Sequence, residues 1–250
     1  VPMILAPDRS KLSKRHGATS VEEFRDQGYL AQSIINYLTL LGWSPEGNEE
    51  IFDMDKSIRE FSLDRVNKTA AIYDVKKLAW INGHYMRGLD LDYVTEQTIP
   101  FMVKKGIITE QESQDKYQHI KQIVDISRER ARTLDELADT MAFFFKDVTD
   151  YEEKGVKKHF RKENAMELLT KGADALEQLQ EFTHDTTEAA FRSLTEGMGL
   201  KAAELIHPTR LAITGRTIGP GLFEIIVILG KEITVQRMRK AVDWISDNIK

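Results

Sequence analysis

The residues whose types and spacing could do chemistry begin near the N-terminal end, in Lys11-Leu12-Ser13-Lys14-Arg15-His16-Gly17. Two lysines three positions apart, with a serine between them and an arginine beside them, form a cluster able to grip a triphosphate. When a carboxylate attacks an α-phosphate, charge builds on the departing pyrophosphate. Loop cations that meet it there stabilise the transition state more than the ground state. Lys11 and Lys14 would act as point charges, Ser13 would fix the loop through a backbone hydrogen bond, and Gly17 would allow a turn that a Cβ forbids. Read alone, the string is also the pattern of a solvated lysine-rich surface loop. The glycine-rich phosphate cradles are absent: no G-x-x-x-x-G-K-[ST] occurs, and no G-x-G-x-x-G opens a βαβ unit.

A second cluster is Arg128-Glu129-Arg130-Ala131-Arg132, at the end of a helical stretch. A planar guanidinium can donate paired hydrogen bonds to bases splayed from a single-stranded loop, and stack on a neighbour. The same residues also fit a solvated basic helix end, favourable to the helix dipole. Net charge is −5, which argues mildly against a nucleic-acid partner, yet the charge is unevenly spread. Residues 1–18 carry Arg9, Lys11, Lys14 and Arg15 against Asp8, a net of +3, and residues 116–132 and 231–240 are each +3 as well. An acidic chain with basic islands can hold a phosphate backbone in a few chosen places.

Other chemistries are narrowed by composition. The chain has no cysteine, which removes disulfide scaffolds, thiol catalysis and cysteine-ligated zinc. Its six histidines, His16, His84, His119, His159, His184 and His207, never pair at metal-ligand spacing, so no metal site is expected and they read as surface or packing residues. No apolar run is long enough to span a bilayer, and Val1–Leu5 lacks the basic start and long apolar stretch of a signal peptide.

The elements that must position these residues read as helices. With 250 residues, 41% hydrophobic content, 30% charged content and only 6 prolines, the chain can build two or three helical units with cores of their own. Leu30, Ile34, Ile35, Leu38 and Leu41 make one helical stripe and Leu78, Ile81 and Tyr85 another; no convincing strand alternation appears. Capping-box pairs are expected at Ser20 and Glu23, Thr109 and Glu112, Thr133 and Glu136, Thr149 and Glu152, and Asp185 and Glu188. Gly42, Gly106, Gly199 and Gly230 sit where stripes end, and Pro208 and Pro220 mark breaks in the last third. Trp43, Trp80, Tyr37 and Tyr85 are expected as core anchors.

The Lys11–Arg15 string resembles the second signature of class I aminoacyl-tRNA synthetases, the KMSKS loop, in the form found in glutamyl-tRNA synthetases. The likeness continues through Thr19-Ser20-Val21, Gly28-Tyr29-Leu30, Asn36-Tyr37-Leu38, Leu41-Gly42-Trp43, Tyr73-Asp74, Lys77-Leu78, Trp80, Asn82-Gly83 and Tyr85 at matching intervals. Pro208-Thr209-Arg210 through Gly215, and Pro220-Gly221-Leu222-Phe223-Glu224 through Leu229-Gly230-Lys231-Glu232, resemble the bacterial family's anticodon cage.

The resemblance implies a ligase that joins glutamate to its tRNA through glutamyl adenylate. Lys11, Ser13, Lys14 and Arg15 would be its catalytic loop, with Lys14 on ATP, and Arg130, Arg210 and Leu222 would face the anticodon. ATP with magnesium is then a substrate, with no tightly bound cofactor or zinc. The partner is the tRNA for glutamate, the location cytoplasmic and the state monomeric. The helical C-terminal half separates the chain from relatives whose anticodon domains are β-barrels.

The expected fold is mainly α. A stem-contact junction unit bearing the loop spans residues 1–92, followed by two all-α anticodon-binding units at 93–147 and 148–250. No HIGH-type signature is found and Val1 is not an initiator methionine. The expectation is therefore a C-terminal fragment that lacks the catalytic domain, is inactive alone, and meets ATP and glutamate through a missing part. Two alternatives are an enzyme of relaxed specificity that also charges the glutamine tRNA, Arg130 favouring the strict form, and a non-catalytic helical RNA-binding module. A helical protein–protein adaptor would bind no tRNA.

Overall fold

The computed structural model describes residues 2–13, 20–47 and 49–249. In chain order the elements are β1 (Ile4–Leu5), α1 (Val21–Asp26), α2 (Ala31–Leu40), α3 (Met54–Glu60), β2 (Ala71–Ile72), α4 (Val75–Gly88), α5 (Leu91–Lys104), α6 (Glu110–Asp115), α7 (Tyr117–Ser127) and α8 (Leu134–Met141). Then come α9 (Glu153–Gly155), which runs into a π-helical turn Val156–Phe160, α10 (Ala165–Glu177), α11 (His184–Gly197), α12 (Ala203–Thr214), α13 (Leu222–Leu229) and α14 (Lys231–Asn248). The fold is mainly α. Contacts divide it into two units, Val1–Ser113 with Arg128–Asp139, and Gln114–Ser127 with Thr140–Lys250.

Short polar side chains start the helices, though not always in the expected pairs. At α1 the Ser20 hydroxyl accepts the Glu23 N–H while the Glu23 carboxylate accepts the Ser20 N–H, and Thr109 and Glu112 exchange the same two bonds before α6. At α8 only half of the box forms: Thr133 accepts the Glu136 N–H, but the Glu136 carboxylate takes the Arg132 N–H. Thr149 and Glu152 form no box, because Glu152 is drawn to Thr217 and the Thr149 hydroxyl donates to Asp150. The expected start at Asp185 lies two residues late. Thr183 caps α11 with Thr186, leaving Glu188 inside the helix, where it pairs with Arg192.

Pro220 precedes a helix, as a break should, but Pro208 lies within α12, as Pro100 lies within α5. Each removes one N–H without ending the helix, since packing of the buried face outweighs the missing bond. The strand signal missing from the sequence is a two-residue parallel ladder, Ile4 beside Ala71 and Leu5 beside Ile72, too short to show alternation.

In the first unit, Phe24, Ile34, Tyr37, Tyr73, Leu78 and Ile81 form a buried cluster, with Ile4, Leu12, Tyr29 and Tyr85 packed on it. Trp43 is also core, at 4% exposure, but Trp80 is 47% exposed. The buried face of α4 is set by Leu78, Ile81, Asn82 and Met86, and residue 80 falls off that stripe. Ile35 and Leu38 of the α2 stripe are likewise exposed.

In the second unit α10 packs against α11, α12 and α14. Gly172 makes that approach possible: a Cβ there would stand 2.9 Å from a Leu205 methyl and 3.1 Å from the Met238 methyl. Within this core Arg237 is 6% exposed and clamps two distant segments, donating Nη1 to the Ile213 carbonyl at 2.8 Å and Nη2 to the Lys146 carbonyl at 2.9 Å. Burial pushes its pKa down from the ordinary arginine value. Arg237→Ala should lower unfolding free energy by about 3 kcal/mol through two orphaned carbonyls and a cavity. Urea unfolding checks this; an unchanged midpoint would rule the clamp out.

Candidate nucleic-acid interface

The loop that opens the chain is held by its own backbone and by the core. Leu5 and Lys11 face each other across an antiparallel bridge, the Leu12 N–H reaches the Ile4 carbonyl, and Ala6 N–H reaches the Ser10 carbonyl. Asp8 closes the turn by accepting from the Ser10 N–H at 2.9 Å and hydroxyl at 2.7 Å, and Arg9 takes a left-handed φ of 65°. Leu12 packs on the core while Lys11 and Ser13 on either side of it are exposed. One anchored leucine therefore sets the direction of the two polar side chains flanking it. Lys14, Arg15, His16 and Gly17 lie outside the described residues. The description resumes at Ser20, in the capping box of α1.

Arg130 lies in the turn between α7 and α8, and it is exposed. Both flanks of that turn are pinned inside the first unit. Arg128 donates to the Leu89 carbonyl at 3.1 Å, Ala131 is buried, and the Arg132 carbonyl accepts from Asn82 Nδ2 at 2.6 Å. Asn82 is fully buried, and its Oδ1 also accepts the Leu30 N–H at 2.8 Å and the Ser33 hydroxyl at 2.6 Å. Next along the chain, the Leu134 N–H donates to the Gly28 carbonyl at 2.9 Å. Gly28 has φ +82°, and a Cβ there would come within 2.6 Å of the Asp135 backbone nitrogen. Only glycine fits that approach.

Arg210 and Leu222 are brought together in the second unit. Arg210, on α12, donates Nη1 to the Pro220 carbonyl at 2.6 Å, just before α13. Leu222 is 4% exposed, so its side chain serves the core at the helix start. The Glu224 carboxylate folds back over Gly221, where a Cβ would meet its oxygens. The start of α13, expected from the sequence as a place where N–H groups could face phosphate, thus already faces a carboxylate. The other end of the turn is tied down by Glu152, which accepts the Thr217 N–H at 2.9 Å and hydroxyl at 2.5 Å. Those Thr217 donors hold the Glu152 carboxyl below its ordinary pKa.

The basic island at residues 231–240 is engaged internally. Lys231 donates to the Glu177 and Leu179 carbonyls, Arg237 is buried, Arg239 pairs with Asp174 and Glu177, and Lys240 pairs with Asp147. Asn82, Gly28 and Glu152 are the positioning residues that sequence reasoning missed. Asn82 and Gly28 stand inside the strings that carried the family resemblance, and the Thr149 pairing gave Glu152 a different task. Among the described residues no group of three or more His, Asp or Glu side chains could hold a metal ion, and no helix is long and apolar enough to cross a membrane.

Comparison with known proteins gives two family matches. Residues 93–242 match the anticodon binding domain, and residues 1–80 match the catalytic domain of tRNA synthetases class I (E and Q). Glutamate–tRNA ligase 1 of Caldanaerobacter subterraneus subsp. tengcongensis is 58% identical over 250 residues, covering 100% of this chain and 51% of the relative. The glutamate–tRNA ligase of Moorella thermoacetica is 55% identical over 249 residues, again 100% of this chain and 51% of the relative. The chain thus spans about half the length of the curated relatives it matches. A crystal structure of a glutamate tRNA ligase from Elizabethkingia meningosepticum in complex with its amino acid superposes with a TM-score of 0.82 at 27% identity, over 96% of this chain and 50% of that one.

The match over residues 1–80 corrects the expectation of a fragment that lacks the catalytic domain: the chain carries sequence of that domain, and inactivity does not follow. The error lay in letting one absent signature stand for a whole domain, when the Lys11 loop is itself within the matched region.

Asn82→Ala should cost about 3 kcal/mol by orphaning the Leu30 N–H and the Arg132 carbonyl. It should also speed tryptic cleavage at Arg128–Arg132; a cleavage rate equal to wild type would show that Asn82 does not hold that turn. Glu152 has a folded pKa below its unfolded value, so its contribution is complete above the ordinary carboxylate range and is lost as acid titrates through the lower folded value. Glu152→Gln should therefore flatten part of the acid limb of a stability-against-pH curve, and an unaltered limb would contradict this.

Proposed function

This chain belongs to the glutamate–tRNA ligase family of class I aminoacyl-tRNA synthetases, and from that membership we propose that it carries the ATP loop and anticodon-facing arginines of an enzyme joining glutamate to its tRNA. On this reading residues 1–92 form the junction that bears the loop and meets the tRNA stem. Residues 93–147 and 148–250 are the two helical anticodon-binding parts.

The chemistry has two sites of demand. At the first, the glutamate carboxylate attacks the α-phosphate of ATP and pyrophosphate departs. Lys11, Lys14 and Arg15 supply positive charge to the leaving group, and Ser13 fixes the loop that carries them. Their charge is worth most where it meets the transition state, which calls for a loop anchored at both ends. Leu12 on the core and the Ser20–Glu23 box before α1 are such anchors.

At the second site, Arg130 and Arg210 offer guanidinium groups to unpaired bases of the anticodon, and Leu222 fixes the start of the helix beside Arg210. The observation that supports this most is the setting of Arg130. It is exposed on a turn whose neighbours on the two sides are bound to the Leu89 carbonyl and to Asn82. Such a side chain reaches solvent from a rigid base, so it can discriminate between bases at little ordering cost.

Two measurements test the reading. The purified chain should bind an anticodon stem-loop of the glutamate tRNA, and a changed base should cost about 1–3 kcal/mol, as removing a good bidentate base interaction does. Arg130→Ala should erase that preference at the base it meets. A helical module that reads only RNA shape would bind both hairpins alike, and that result would refute the assignment. In an enzyme carrying this chain, Lys14→Ala should lower kcat for adenylate formation about a hundredfold with the KM for glutamate unchanged; full activity would remove the loop from the mechanism.

A further inference from the structure

The second unit contains a cluster that neither the ATP loop nor base reading uses. The π-helical turn Val156–Phe160 packs against α12 and brings His159, 7% exposed, into a stack with His207, the rings 5.1 Å apart and inclined at 26°. Residues 159 and 207 are far apart in sequence, and only this packing pairs them. Lys158 precedes the buried ring, Lys162 follows it by three residues, and Arg210 stands one helical turn beyond His207. Lys157 nearby pairs with Glu153, whereas Lys158 and Lys162 are exposed and pair with no carboxylate among the described residues.

The charged groups that lower the pKa of the two rings are basic ones. Lys158 and Lys162 act on both rings, His207 acts on His159, and Arg210 acts on His207. No carboxylate is among them. Two exposed lysines that pair with no carboxylate among the described residues, set beside two protonatable rings, make a positive potential that an anion would relieve. Within the π-turn His159 is buried while Lys158 beside it is exposed.

We propose that His159, His207, Lys158 and Lys162 form a phosphodiester site, which holds the RNA backbone beside the base met by Arg210 and takes up a proton on the histidine pair as it does so. The proposal rests on the reading that the second unit receives the anticodon loop. It adds to that reading a distinct site, its chemistry and a linkage. Arg210 links the two functions: its Nη1 donates to the Pro220 carbonyl at one end of the turn, and it stands one helical turn beyond His207.

The sign of the linkage follows from the free state. Burial first, then the neighbouring cations, hold both imidazoles below their ordinary pKa, so near neutral pH they are uncharged and stack without repulsion. A phosphate placed against them would raise their pKa. Between the free and bound values binding carries a proton with it, and affinity rises as pH falls.

The test uses the chain and a fluorescent anticodon stem-loop, with binding measured at about pH 6 and about pH 8 over a salt series. Wild type should bind more tightly at the lower pH, and His207→Gln should remove that gain. Lys158→Ala with Lys162→Ala should reduce the slope of log affinity against log salt by about 0.7 for each phosphate that a lysine no longer neutralises, with the preference between anticodons retained. If these variants keep the wild-type pH dependence and salt slope while Arg210→Ala abolishes anticodon preference, the phosphate site is refuted and the base-reading function stands.

If wild type shows no anticodon preference, the base-reading function fails and inorganic tripolyphosphate decides the site. A shift of the His207 ring-proton resonance on its addition, with a raised titration midpoint, supports a phosphate site. No shift overturns it. A shift with tripolyphosphate but none with the RNA overturns the assignment to RNA.

Discussion

The side-chain amide of Asn82 is the interaction on which the turn that carries Arg130 depends. From the middle of α4 it accepts from the N-terminal end of α2 through Leu30 and Ser33, and it donates to the carbonyl of Arg132. An amide is suited to this because it presents an acceptor and a donor at opposite corners of one rigid plane. A buried polar group of this kind is stabilising only if every partner is in place. The three segments must therefore arrive together, and the turn that carries Arg130 inherits its position from the core of α2 and α4. Gly28 completes the arrangement by letting the chain before α8 approach its backbone within hydrogen-bond reach.

The second unit solves the same problem with different chemistry. The turn between α12 and α13 has no buried amide beneath it. It is tied at one end by the Glu152 carboxylate on Thr217 and at the other by the Arg210 guanidinium on Pro220. Arg237, buried in the core, holds the carbonyls of Ile213 and Lys146 and so fixes the end of α12 from below. In both units the residue expected to meet RNA is carried on irregular backbone or beside it, and rigidity is supplied by side-chain to backbone bonds rather than by helix ladders. Loops can then present functional groups without the ordering cost that a loose loop would bring to binding.

What could be read from the sequence divides along the same line. Helix existence was legible because it depends on local patterns: the apolar stripes of α2 and α4 and the boxes at Ser20 and Thr109 are interactions within a few residues. The positioning bonds were not legible because each joins distant segments. Glu152 could have capped its own helix start and instead serves Thr217; His159 and His207 meet only after α12 packs on the π-turn. Trp80 has the size of a core anchor, yet helical phase places it outside. Residue type suggests what a side chain can do, and tertiary packing decides which of those uses is realised.

Charge shows this most sharply. By sequence the islands at 1–18, 116–132 and 231–240 are equivalent, each with the same excess of cations. In the folded chain they are not. The last is neutralised by Asp174, Glu177 and Asp147, by carbonyl acceptors and by burial. In the first, Lys11 is exposed beside an anchored leucine, and in the second Arg130 is exposed on a pinned turn. Because an acidic chain repels a polyanion at long range, any binding of RNA would have to come from the few cations that keep their charge available to solvent. Each such cation then carries a larger share of the attraction than it would on a uniformly basic surface. An exposed cation held by a rigid neighbour is therefore a better marker of the interface than the local sum of charges. By that measure the π-turn, with Lys158 and Lys162 lacking acidic partners among the described residues, stands beside Lys11 and Arg130 although no island of the sequence included it.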